Sequence, residues 1–346
     1  MKTLKYLPLL GIALLTLNCS NDDSPTPIPT VTKTGIFMAG HTDNGMANVS
    51  QIIDNGITED LSSGEKNAYA WGVAVSENDV YVAGNESNGT AMVAKLWKNG
   101  TAQELSDGLH SAYVKGVAVS VNDVYATGIS SSAEAENYMA TVWKNGIPQH
   151  LTDGSLDANA QAITVFKNDV YVVGRERNGN GANVAKLWKN GTAQELSDGN
   201  NNAVARDIVI DKANTDVYIA GYERINSTWV AQIWKNGVAE PFTNGNTNAW
   251  AYAITVNNGD IYVAGYEENA QEKTIAKLWK NGVGQDLTTG VASAYALDVS
   301  VLGNDVYVVG YTTTEANTNI ATVWKNGEVE YTGMAKSSLT SIVTVQ

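Results

Sequence analysis

From residue 35 onward the apolar residues of this chain come in short runs separated by polar segments rich in Gly, Asn and Asp. In residues 69–108, Val73-Ala74-Val75 and Val80-Tyr81-Val82-Ala83 are apolar in both phases of the strand period. A strand with one wet face would alternate, so these runs predict strands covered on both faces, at 69–76 and 79–84. A third strand is predicted at 92–98 and a fourth at 101–106, where Gln103 and Glu104 mark a polar, outermost position. Glu77-Asn78 and Asn99-Gly100 are hairpins of minimal length, and Asn-Gly supplies the positive φ angles of a two-residue turn.

This unit is written seven times. Its second strand appears as GIFMAG (35–40), DVYVAG (79–84), DVYATG (123–128), DVYVVG (169–174), DVYIAG (216–221), DIYVAG (260–265) and DVYVVG (305–310), each predicted to end at its glycine. The hairpin after the third strand closes on Gly56, Gly100, Gly146, Gly191, Gly237, Gly282 and Gly327, in steps of 44 to 46 residues. Residues 93–108 and 184–199 are identical. Four strands at this period predict an all-β fold, a seven-bladed β-propeller of four-stranded antiparallel blades over residues 34–346. The first copy has no first strand of its own. The closing segment 338–345 aligns with 68–75 and is expected to complete the first blade, leaving no open sheet edge.

Both minimal hairpins lie at one end of a blade, the hairpin face. The second-to-third and fourth-to-first connections lie at the other end and differ between copies, as ISSSAEAENY and YERINST illustrate. Loops on a regular scaffold carry specificity, so a ligand site is expected on this variable face.

Six Trp recur at one position (Trp97, Trp143, Trp188, Trp234, Trp279, Trp324), with Ile53 in the first copy, and Tyr81 and its equivalents recur at another. Such repetition marks packing between blades. Residues that break the repeat are better candidates for function. At the position of Trp71 stand Lys115, Gln161, Arg206, Tyr252, Leu297 and, by the alignment above, Ser341; they are expected around the mouth of the central channel. Directly after the second-strand glycine come His41, Asn85, Ile129, Arg175, Tyr222, Tyr266 and Tyr311, with Trp229, Trp250 and Tyr295 near them in register. Aromatic faces beside polar groups suit sugar rings. The candidate ligand-binding residues are Trp71, Lys115, Arg206, Tyr222, Tyr252, Tyr266 and Tyr311, with the three strand-following tyrosines placed on loops.

No catalytic constellation stands out, and no cofactor or metal is called for. His150 is placed on an outermost strand, away from His41 and His110. Glu267-Glu268 and Glu176, between Arg175 and Arg177, read as solvated loop charge. The net charge of −14, without a basic run, excludes the electrostatic footprint of nucleic-acid binding and sets the body against anionic membranes.

Residues 1–18 have the make-up of a secretory signal, with Lys2, Lys5 and an apolar run too short to span a bilayer comfortably. Thr16-Leu17-Asn18-Cys19 resembles the lipobox of bacterial lipoproteins, which implies lipidation of Cys19, the one cysteine of the chain. Thr16 and Asn18 depart from the usual residues. Ser20-Asn21-Asp22-Asp23 resembles the acidic export tag of Bacteroidetes surface lipoproteins, and Pro25, Pro27 and Pro29 mark a tether over 19–33. Residues 35–346 resemble the WKNG-type propeller lipoproteins of that phylum and are loosely similar to kelch repeats, without the double glycine. The resemblance implies an outer-membrane lipoprotein, exposed at the cell surface or facing the periplasm, held to the membrane by its lipid alone. The expectation is a monomeric, non-catalytic binding module, for glycan or protein at the variable face. A carbohydrate-active hydrolase or lyase is the alternative.

Overall fold

The computed structural model describes residues 33–346; the expected signal segment, Cys19 and nearly all of the tether lie outside the described residues. Seven separate antiparallel sheets of four strands follow one another around a ring. Blade 2 shows the plan, with strands Ala68–Ser76, Asp79–Ser87, Met92–Lys98 and Thr101–Glu104 ordered from the axis outward. Blade 1 is assembled from both ends of the chain, because Ser337–Val345 pairs antiparallel with Gly35–Asp43. Thr340 then ties blade 1 to blade 2, its Oγ1 donating to the carbonyl of Ala70 at 2.7 Å.

The recurrent tryptophans seal each blade against the one before it. Trp97 of blade 2 packs on Phe37, Ala39 and Ile52 of blade 1, and Trp143 of blade 3 on Tyr81, Ala83 and Leu96 of blade 2. At the closing interface Met38, Ile53 and Leu339 of blade 1 meet Tyr307, Val309 and Val323 of blade 7. Ile53 stands there in the tryptophan's place.

The charged letters of the repeat have a local structural cause. Asp169 Oδ2 pairs with Lys189 Nζ at 2.7 Å, and its Oδ1 accepts from Asn190 Nδ2 at 2.7 Å. Asn190 Oδ1 in turn accepts the Val170 N–H at 2.9 Å, and Lys189 Nζ lies 5.0 Å from the Tyr171 ring centroid. The same clasp recurs with Asp79 and Lys98, Asp123 and Lys144, Asp216 and Lys235, Asp260 and Lys280, and Asp305 and Lys325. In blade 1 the charges are exchanged, with Lys33 Nζ 2.9 Å from Asp54. Every Asn-Gly of the hairpin face has both residues at positive φ, for example Asn190 at 50° and Gly191 at 80°. This face is built to hold turns. The chain enters the propeller there, since Lys33 N–H donates to the Glu77 carbonyl at 3.0 Å.

Candidate binding site on the propeller axis

The second strand does not end at its glycine, as the sequence led us to expect; it runs on for about three residues, to Ser87 in blade 2 and Arg177 in blade 4. The glycine has a different task. A Cβ on Gly84 would lie 2.0 Å from the Tyr69 carbonyl oxygen, and one on Gly174 only 1.9 Å from that of Asn159. Opposite this close approach, pairing with the innermost strand skips one residue: Trp71 in blade 2, Lys115, Gln161, Arg206, Tyr252 and Leu297 in blades 3 to 7, and Thr340 in blade 1. A β-bulge bends the strand and re-aims the extra side chain. Here all seven line a cavity of about 590 Å³ on the axis.

The seventh position is therefore Thr340 and not Ser341, because the closing strand is offset by one residue from the alignment with 68–75. Ser341 sits one level deeper, in a ring with Gly72, Gly116, Ala162, Asp207, Ala253 and Asp298. Beyond it, toward the hairpin face, lie Val73, Val117, Ile163 and Ile342.

Around the upper ring the chemistry is ordered as aromatic, cation, amide, cation, aromatic: Trp71, Lys115, Gln161, Arg206, Tyr252. Lys115 Nζ lies 4.0 Å from the Trp71 ring centroid, and the Arg206 guanidinium 4.1 Å from that of Tyr252. Arg206 Nη1 donates to Gln161 Oε1 at 3.1 Å, while its Nε is buried without a partner. Among the described residues no carboxylate oxygen lies within 4.0 Å of either cation. Burial, and secondarily the Arg206 charge, bring the Lys115 ammonium down to about 8.

Only part of the expected aromatic surface reaches the cavity. Trp71, Lys115, Arg206 and Tyr252 line it; Tyr222, Tyr266 and Tyr311 do not. Those three are strand residues and not loop residues. They form a packed layer behind the axis. Tyr266 lies 5.2 Å from Tyr252 and 4.8 Å from Tyr295, which is 4.8 Å from Tyr311, and Tyr222 sits 5.4 Å from Trp229. Tyr266 is 9% exposed and donates its hydroxyl to Tyr252 at 3.2 Å. The ring faces near the axis are also taken. Trp71 stacks on Tyr69 at 5.8 Å and carries Lys115, while Tyr252 stacks on Tyr222 and carries Arg206. These rings hold cations in place more than they offer faces for a sugar.

Two site residues escaped the sequence reading, Asp207 and Asp298. Each follows a bulge residue, at a position that is otherwise Gly, Ala or Ser; an acid among small residues was the available signal. Asp207 accepts backbone N–H groups from Ile208 and from Ile254 of the next blade, both at 2.8 Å. Asp298 accepts from Val299 and Ile342 and from the Ser341 hydroxyl at 2.9 Å. Both residues line the channel and are partly buried. Burial pushes both carboxyls up, Asp298 further because the charge of Asp207 adds to it.

The other candidates resolve into local contacts. His41 is half-buried against Tyr69 and Trp71, and desolvation lowers its imidazole to about 4. His110 is paired with Asp107 at 4.0 Å, and His150 lies on an outermost strand, its Nδ1 3.1 Å from Thr141 Oγ1. Glu267 is bound to Lys277, Glu268 to Asn248, and Glu176 to Lys186 at 3.2 Å. Among the described residues there is no group of three or more His, Cys, Asp or Glu that could hold a metal ion.

No family model matches this chain, and no curated protein matches it. Solved structures do. The β-propeller domain of the Trilobed protease from Pyrococcus furiosus, which has an open velcro topology, is 10% identical with a TM-score of 0.54, over 86% of this chain and 94% of that one. Pyrococcus horikoshii acylaminoacyl peptidase is 12% identical with a TM-score of 0.52, over 86% of this chain and 50% of that one. A fucose lectin from Kordia zhangzhouensis matches 37% of this chain and 96% of its own, at 13% identity and a TM-score of 0.29, too low to bear on fold or ligand. At such identities the likeness is one of fold. The chain is a seven-bladed propeller, here closed by its C-terminal strand.

Proposed function

We propose that this protein is a tethered, non-catalytic binding module that takes a glycan or a similar polar envelope component in its axial cavity. One observation carries the reading. Seven bulges turn the most varied side chains of a near-identical repeat into one cavity of about 590 Å³, within the usual range for small-molecule sites. A repeat kept for packing alone has no need of Trp, Lys, Gln, Arg, Tyr, Leu and Thr at one equivalent position.

The anchoring belongs to the same proposal: a lipid on Cys19 and an outer-membrane location, at the cell surface. Lys33 stands at the hairpin face, the end of the propeller opposite the variable face. The test is a glycan array probed with the purified protein. Saturable binding that is lost on replacing Trp71 or Tyr252 supports the module, whereas failure to bind any glycan counts against it.

Asp207 and Asp298 favour a second reading, a carbohydrate-active hydrolase or lyase, since raised carboxyls in a cavity can serve as acids. Their oxygens are already engaged in bridging neighbouring innermost strands, which is why binding is preferred. Product analysis on any array ligand separates the two. Turnover abolished by Asp207→Asn or Asp298→Asn in a folded protein would establish the enzyme.

A further inference from the structure

We infer that the ligand of the axial cavity is an anionic saccharide, whose charged oxygens sit between Lys115 and Arg206. This rests on the binding reading above and names the class of ligand.

Three observations converge on it. First, Lys115 and Arg206 occupy equivalent bulges two blades apart, with Gln161 between them, so both heads face one space. Second, among the described residues neither has a carboxylate oxygen within 4.0 Å; Asp207, one level deeper, feels the Arg206 charge but spends both its oxygens on backbone N–H groups. Each is held instead by an aromatic ring, at 4.0 and 4.1 Å, an arrangement that fixes a cation without using its N–H donors, of which Arg206 spends one on Gln161. A desolvated cation without a counter-ion is costly, and an oxyanion entering the cavity relieves that cost. Third, the rings that would stack on a neutral sugar are occupied by these cations and by Tyr69 and Tyr222. Discrimination therefore falls on charge and hydrogen bonding. Gln161 and Asn159, whose Oδ1 is buried without a partner, supply the polar remainder for hydroxyl groups.

The overall charge of −14 opposes this at long range, but not at the site. Surface charge is screened beyond about 8 Å at physiological ionic strength, whereas the two cations act at contact inside a walled cavity. Three titratable groups facing the cavity act in one direction with pH. Lys115 is charged below about 8, and Asp207 and Asp298 lose their negative charge as the pH falls. Anion affinity should rise as the pH is lowered from about 9 toward 6.

The anion can be a carboxylate or a sulfate ester, and the probes separate them: glucuronate, glucose 6-sulfate and glucose, titrated into the purified protein by calorimetry or ligand-observed NMR. Saturable binding of at least one charged sugar is expected, tenfold or more tighter than glucose. Arg206→Met and Lys115→Met should each weaken it tenfold or more, and Lys115→Met should also flatten the pH dependence between about 7 and 9. Arg206→Lys and Lys115→Arg keep the charge and should retain most of the affinity, which separates loss of charge from loss of fold; a thermal melt checks each variant. The inference is overturned if both charged sugars bind no better than glucose, or bind equally well to both Met variants. Neutral glycans bound on the array would in that case leave the binding module standing, while an empty array would remove both.

Discussion

Gly174 shows how one residue can serve the site without touching it. Its missing side chain lets the Asn159 carbonyl approach to where a Cβ would stand, 1.9 Å away, and that approach accompanies the bulge that carries Gln161. Gly174→Ala should lower stability by about 2–4 kcal/mol, since backbone and not a flexible side chain must yield. Gly191→Ala, with positive φ but open space around it, should lose only about 1–2 kcal/mol. Urea denaturation of the two variants compares them directly. Asp298 gives a second test at this scale. Its carboxyl is pushed up to about 7 from the ordinary 3.8, so the folded state holds the proton more tightly. The contribution to stability is present at low pH and is lost as pH rises through that interval. His41 acts oppositely: kept neutral down to about 4, it contributes above its ordinary 6.5 and loses this as pH falls. Subtracting Asp298→Asn from wild type cancels His41. The remaining difference in unfolding free energy should decline from pH 4 to pH 7 by an amount on the order of 1–4 kcal/mol. A difference that stays flat would show that the carboxyl titrates normally.

Among the elements, packing and charge divide the repeat unequally. The clasp of Asp169 and Lys189 is solvent-exposed, and such pairs contribute little to stability, so Lys189→Met should change the melting temperature little. Trp188 is 1% exposed between blades 3 and 4, and Trp188→Ala should lose about 3–5 kcal/mol. The tyrosines of blades 5 to 7 belong with the tryptophan. Tyr222 and Tyr266 were expected on loops, where truncation leaves stability untouched; as strand residues in a stacked layer, each should lose about 2–4 kcal/mol on replacement by Ala. A protein carrying both changes with an unaltered melt would return them to the surface. Weakened ligand binding in such variants would report the support of Tyr252 and Arg206 from behind.

For the whole molecule, closure is the decisive contact. Removing residues 336–346 exposes the edge of Gly35–Asp43, uncovers Met38 and Ile53, and deletes the Thr340 bulge from the cavity. The truncated ring should open and self-associate through that edge. Size-exclusion chromatography and a thermal melt check it: a monomer of wild-type stability would mean that the ring does not depend on its last strand.

Periodicity, apolar runs and Asn-Gly turns were enough to establish from the chain alone that there are seven blades of four strands, that tryptophan lies between them and that the C-terminal segment completes blade 1. These features are local and are stated seven times, so each copy corroborates the rest. Trp71, Lys115, Arg206 and Tyr252 were also legible as candidates, because they break a repeat at one position. Tertiary structure alone decided where those positions point. Whether a strand stops at Gly174 or bulges opposite it depends on how closely the neighbouring backbone approaches, and no single-strand pattern records that distance. The one-residue offset that puts Thr340 and not Ser341 at the rim arises from pairing between the two ends of the chain. Asp207 and Asp298 are some 90 residues apart, and only the curvature of the ring brings them into one layer around the cavity. A ring converts equal spacing along the chain into convergence on an axis, and chemistry shared among blades exists only at that convergence.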